Sequence, residues 1–176
     1  DGHRLERRYL ISKDAALRPP ILRPPKIVAL GLNYALHAKE GNAAVPEEPI
    51  IFLKPPSALI GPEATIVWPP ASERVDYEGE LGVVIGRKAK DVAKDRVNDY
   101  ILGYTCVNDV SERHVQKADG QWTRAKGYDT FAPIGPWIET EVNPNDLKVE
   151  TYLNGELRQS ARTSDLIFGV AELLSS

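Results

Sequence analysis

Four proline pairs set the grain of this chain. Pro19-Pro20, Pro24-Pro25, Pro55-Pro56 and Pro69-Pro70 each fix φ twice and remove two backbone donors, so neither a helix nor a central strand runs through them. RPPILRPP, residues 18–25, is therefore a stiff connector, and PIIFLKPP and ATIVWPP are each expected to be a short strand stopped by its own prolines. KIVALGLNY, residues 26–34, is a β-branched, apolar run that ends at a polar pair, the pattern of a buried strand feeding a functional loop. DYEGELGVVIG and YILGYTCVNDV continue the series of short strands. VETYLNGELRQS places Asn154-Gly155 between two alternating segments, a strong local hairpin signal. Helical signals are few. One is expected at Ala35 to Glu40. The other is TSDLIFGVAELLSS, where Ser164 can cap, Asp165 suits the first turn, and Leu166, Ile167, Val170, Leu173 and Leu174 recur at helical spacing. The expected class is mainly β with short helices (α+β), arranged as a sandwich or a roll.

The 176 residues suffice for one domain with a continuous core. Basic and acidic residues, 22 and 25, are mixed along the chain to a net charge of -3, with no basic block to track a phosphate backbone, so nucleic acid is not an expected partner. Cys106 is the only cysteine, which excludes an internal disulfide and fits a reducing compartment. No apolar run approaches the roughly 20 residues that span a bilayer, and the opening DGHRLERRYLISKD is charged where a secretory signal is apolar. No membrane partner and a cytoplasmic location are expected. With Asp1 first and no methionine anywhere, the sequence is expected to be part of a longer gene product.

Glu78 and Glu80 stand two apart in an apolar, strand-like segment, so their side chains share a face with Gly82 and Val84. Spacing alone leaves two readings open. The pair either points into water from an edge strand or, if buried, needs a cation between its charges. Asp109, at the end of the apolar run YTCVN, favours the second. With Glu78 and Glu80 it completes an all-oxygen ligand set of the kind hard divalent cations take, Mg²⁺, Mn²⁺ or, in a crystal, Ca²⁺. Three of six octahedral positions would stay open for a bidentate substrate and a water.

Other chemistry-bearing residues surround that triad in the sequence. His37 and Glu40, at i and i+3, would share a helix face, and a carboxylate that orients an imidazole makes a general base near neutral pH. Lys54 follows the apolar run IIFL; a snorkelling strand-end lysine is the plain alternative. Arg113 and Gln116 fall on the expected loop after Asp109, where a guanidinium can bind a substrate carboxylate bidentately. Lys126 taken alone is an ordinary surface lysine.

Taken in order, GLNYALHAKE, FLKPPSALIGP, DYEGELGVVIG, YTCVNDVSERHVQ, WTRAKGYDTFAPIGPW and LNGELRQSARTSDLIFGVAELLS resemble the catalytic domain of the fumarylacetoacetate hydrolase family. The resemblance covers nearly all of the chain after Pro25. It implies a catalytic domain over residues 26–176 behind an N-terminal segment, residues 1–25, a mixed β-sheet roll, and a homodimer. It further implies Mg²⁺ or Mn²⁺ on Glu78, Glu80 and Asp109, His37 and Glu40 as the general-base dyad, Lys126 near a developing enolate, and Lys54 at a second lysine position. Family members continue past the last helix into a strand and a Gly-Thr-Pro loop, so the domain is expected to extend beyond Ser176. The implied function is divalent-metal-dependent cleavage of a carbon–carbon bond in a 2-oxo or 2,4-dioxo acid: acylpyruvate or fumarylpyruvate hydrolysis, or oxaloacetate decarboxylation. A 2-hydroxyhepta-2,4-diene-1,7-dioate or 5-carboxymethyl-2-hydroxymuconate isomerase of aromatic catabolism is the alternative within the family. A non-catalytic dimeric scaffold or small-acid binder is the alternative outside enzymes.

Overall fold

The computed structural model describes residues 16–35, 39 and 44–175. Its strands, in chain order, are β1 (Ile27–Gly31), β2 (Ile50–Lys54), β3 (Leu59–Ile60), β4 (Val75–Asp76), β5 (Gly79–Ile85), β6 (Ile101–Asn108), β7 (Ser111–Glu112), β8 (Ala132–Glu139), β9 (Lys148–Leu153) and β10 (Glu156–Arg162). Three short helices are described with them, α1 (Arg113–Asp119), α2 (Thr123–Lys126) and α3 (Val170–Ser175). The molecule is mainly β, as the proline spacing requires.

The central sheet has the order β3-β8-β6-β5, with β3 parallel to β8 and the other pairs antiparallel, so it is mixed. β1 and β2 form a separate antiparallel pair, as do β4 with β7 and β9 with β10. None of these sheets closes into a barrel among the described residues. The hairpin β9–β10 turns at Asn154-Gly155, whose φ values of 53° and 82° are the two left-handed positions a tight hairpin turn demands. RPPILRPP adopts no regular element and packs with Pro19 against Gly61, where an added Cβ would lie 2.9 Å from the proline ring.

Four local expectations change, the first being that β1, expected as a buried strand, has no fully buried residue and leaves Val28 exposed by 49%. ATIVWPP is not a strand: Val67 donates its N–H to the Thr130 hydroxyl (2.8 Å) and the Trp68 indole donates to the Ser72 carbonyl (2.9 Å), bonds that replace a ladder. Helix α3 starts at Val170 rather than beside Ser164, because a 3-10 turn over Thr163–Asp165 leads into residues held elsewhere. There Asn33 accepts from the Phe168 N–H (2.9 Å) and donates to its carbonyl (3.0 Å), the Ile167 N–H donates to the Asn33 carbonyl (2.9 Å), and Leu166 bridges to Tyr34. That tertiary strap outweighs helical periodicity. Arg113 and Gln116 lie on helix α1, not on a loop; Glu112 caps it by accepting from the Val115 N–H, and Gly120, at φ 64°, ends it.

The core is built around Val84, Val97, Val110, Phe131 and Ala132. Among the most deeply buried side chains, however, are Lys54, Asp109 and Lys126, exposed by 2%, 1% and 2%. Charge in the middle of a core demands an explanation.

Candidate metal and substrate site

The two carboxylates of the EGE stretch arrive at one place because β5 begins between them. Gly79 is opposite Asn108 in the β5–β6 ladder, the Glu78 N–H donates to the Asn108 side chain (2.9 Å), and the Asp109 N–H donates to the Glu78 carbonyl (2.8 Å). The end of β6 and the start of β5 are thereby tied, and Asp109, one residue beyond β6, faces the pair. An oxygen from each of Glu78, Glu80 and Asp109 lies within 4.8 Å of the others.

Cations close around two of the three. Lys54, the last residue of β2, donates to Asp109 Oδ1 at 2.5 Å and to the Val110 carbonyl at 3.3 Å. Lys126, the last residue of α2, lies 2.6 Å from Glu78 Oε2 and 2.7 Å from Asp109 Oδ2, with its ammonium 5.2 Å from the Phe52 ring centre. Arg113 reaches Glu78 Oε1 (2.5 Å) and Asp76 Oδ2 (2.8 Å) and donates to Gln116 Oε1 (2.9 Å). Its remaining N–H groups, one on each terminal nitrogen, are not engaged in these contacts. Burial pushes the Glu78 carboxyl up, but Lys126 and Arg113 outweigh it and hold the group below its ordinary range. Burial also lowers Lys54, an effect that Asp109 only partly offsets.

Glu80 is different. Its side chain forms no hydrogen bond or ion pair among the described residues, and burial, with Asp109 and Glu78 adding like charge, pushes it up to about 8. Lys54, Lys126 and Arg113 make their direct contacts with Asp76, Glu78 and Asp109, whereas Lys126 and Lys54 act on Glu80 only at longer range. Oxygens that share one ion stand at most about two bond lengths apart, roughly 4.2 Å for Mg²⁺ and about 5 Å for Ca²⁺, so the triad is within small side-chain adjustments of that spacing. An all-oxygen set with one carboxyl that no cation contacts directly fits a hard divalent cation and does not fit zinc's usual nitrogen and sulfur ligands.

The structure brings Glu78, Glu80, Asp109, Lys54, Lys126, Arg113 and Gln116 into one cluster. His37 and Glu40 lie outside the described residues. Two neighbours escaped the sequence analysis. Asp76 had a signal, since D-x-E-x-E continues the two-residue stripe back from Glu80. Tyr34 had only its place after β1; burial first, then Glu80 and Asp165, push its phenol up to about 12.

This constellation, on a mixed sheet with residues 26–176 matching the model of the fumarylacetoacetate hydrolase C-terminal domain, places the chain in that family. The chain belongs to the fumarylacetoacetate hydrolase family. It is 47% identical over 160 residues to the 2,4-didehydro-3-deoxy-L-rhamnonate hydrolase of Sphingomonas sp., covering 89% of this chain and 56% of that one. To the mitochondrial oxaloacetate tautomerase Fahd2a of Rattus norvegicus it is 42% identical over 160 residues, covering 89% and 51%. The crystal structure of 5-carboxymethyl-2-hydroxymuconate delta-isomerase from Mycobacterium smegmatis superposes with a TM-score of 0.83 at 50% identity, covering 90% of this chain and 63% of that one. The chain thus spans less than two thirds of the length of each of these relatives. No helix among the described residues is long and apolar enough to cross a membrane.

Proposed function

We propose that the protein is a divalent-metal-dependent enzyme that cleaves a carbon–carbon bond of a small 2-oxo or 2,4-dioxo acid, by hydrolysis of an acylpyruvate-type substrate or by decarboxylation of oxaloacetate. The observation that carries this reading is Glu80: a carboxylate in a cation-rich cluster that is nevertheless left without a partner, beside two others at ion-sharing distance. With Mg²⁺ or Mn²⁺ bound by Glu78, Glu80 and Asp109, the site would supply Lewis acidity toward negative charge growing on a keto oxygen.

The chain's own residues would do the rest. The two uncommitted N–H groups of Arg113 would receive a substrate carboxylate, with Gln116 fixing the guanidinium plane. Lys126 would place its ammonium where enolate charge develops and return a proton to the carbon. Lys54 would hold Asp109 in position. His37, oriented by Glu40, would take a proton from the attacking water.

A second reading is favoured by what the relatives are called. A tautomerase and an isomerase stand beside a hydrolase at similar identity, and both of those reactions require only a proton moved next to the same electron sink. A panel of acetylpyruvate, oxaloacetate and a hydroxymuconate-type diacid, assayed with Mn²⁺ on the full-length protein, separates them by product. We expect pyruvate from the first two substrates, and His37→Ala to abolish its release while leaving Mn²⁺ binding intact. Tautomerisation without cleavage would select the second reading.

A further inference from the structure

Strand β5 lies at the edge of the central sheet, and at Gly79 that edge is covered by a side chain. Gly79 is paired with Asn108 on one side, and both its backbone polar groups point the other way. There the Gln159 amide takes both: Oε1 accepts from the Gly79 N–H (2.9 Å) and Nε2 donates to the Gly79 carbonyl (2.7 Å). The amide thus acts as a one-residue substitute for a neighbouring strand. Thr151, opposite Gln159 in the β9–β10 hairpin, donates its hydroxyl to Gln159 Oε1 (2.9 Å) and fixes which way the amide faces.

The hairpin is shaped for this contact. Residues 152–158 are all exposed, whereas Thr151 and Gln159 are partly buried, and the register slips between Leu157 and Gln159, the kind of bulge that re-aims a side chain. Gly79 is shaped for it too. A Cβ there would lie 2.2 Å from Thr151 Oγ1, so the glycine is required by close approach. The peptide between Glu78 and Glu80 is consequently held from both edges, by Asn108 and Asp109 on one and by Gln159 on the other.

We infer that Gln159, oriented by Thr151, is a positioning residue for the metal centre: its amide locks the Glu78–Glu80 backbone so that both carboxylates address one divalent ion. The inference rests on the proposed metal site and deepens it, assigning a role to a hairpin that contributes no ligand. Groups hydrogen-bonded to metal ligands typically govern affinity by about 10–100-fold, and Gln159, which bonds the peptide between two ligands, is expected at the lower end of that range.

The test is Mn²⁺ affinity of the full-length protein, read by calorimetry and by the EPR signal of free Mn²⁺, together with amide hydrogen exchange at Gly79. Gln159→Leu is expected to weaken Mn²⁺ binding by roughly ten-fold or more and to speed exchange at Gly79, with far-UV circular dichroism unchanged. Thr151→Val should weaken binding by less, and Thr151→Ser, which keeps the hydroxyl, should restore it. Should Gln159→Leu fail to fold, the Thr151 pair reads the same effect. If Gln159→Leu or Thr151→Val lowers thermal stability while Mn²⁺ affinity stays that of the unsubstituted protein, Gln159 merely caps a sheet edge and the inference is overturned. No Mn²⁺ binding by the unsubstituted protein would instead remove the metal site itself, and the positioning role with it.

Discussion

Strand β2 and the cluster it feeds invert the usual distribution of polarity. Ile51 and Leu53 are exposed by 60% and 53%, while Lys54, the next residue, is exposed by 2%. Along β2, burial follows partners rather than hydropathy. Lys54 is tolerated inside because Asp109 and the Val110 carbonyl satisfy it, and Asp109 because two ammoniums do.

The inversion breaks most severely at Asp109. Asp109→Ala would strand Lys54 and Lys126 in the core with one shared anion gone, and removal of one partner from a buried charge network costs about 3–5 kcal/mol. Urea unfolding should show a loss of that order together with loss of Mn²⁺ binding. A variant as stable as the parent would mean that the cluster is hydrated in solution. Lys54→Met tests the opposite partner. It keeps an unbranched chain in the pocket and leaves Lys126 on Asp109, so the expected loss is smaller, about 1–3 kcal/mol, the cost of one unsatisfied carboxylate oxygen.

The same residues show how far the fold is legible in the amino-acid sequence. The strand segments other than ATIVWPP, and the Asn154-Gly155 turn, were legible because prolines and a two-residue turn act locally. Glu78, Glu80 and Asp109 were legible as a triad because period-two spacing and an acid at the end of an apolar run each carry a direction. The helix at Ser164 was misplaced because its competitor, the Asn33 strap, sits more than a hundred residues away. Gln159 left no signal at all. A glutamine in a polar hairpin strand is unremarkable until the fold sets it against Gly79.

Glu80 answers to pH. Its ordinary carboxyl value of 4.5 is pushed up to about 8 in the fold, so the metal-free folded chain holds a proton that the unfolded chain releases. That contribution to stability is fully present below about 4.5 and is lost as pH rises through about 8. A divalent ion requires the ionised form and must displace the proton. The rise in Tm produced by saturating Mn²⁺ should therefore grow between about pH 6 and 8, with proton release detectable as a buffer-dependent binding enthalpy. An increment independent of pH over that range would show that Glu80 is not a ligand.

The smallest expected effect lies on the outer face of the same strand. Ile51 pairs with Leu30 in the β1–β2 ladder, and Val28 pairs with Leu53, so one face of this two-stranded sheet is apolar and largely open to solvent. Ile51→Thr preserves the β-branched Cβ and its χ1 preference while removing apolar area that is already hydrated. At a truly exposed position such a change stays within about 0.5 kcal/mol, far below the loss at Asp109. Measured on the full-length protein, a loss above about 1 kcal/mol would show that this face is covered there, and its apolar residues would then follow partners just as Lys54 does.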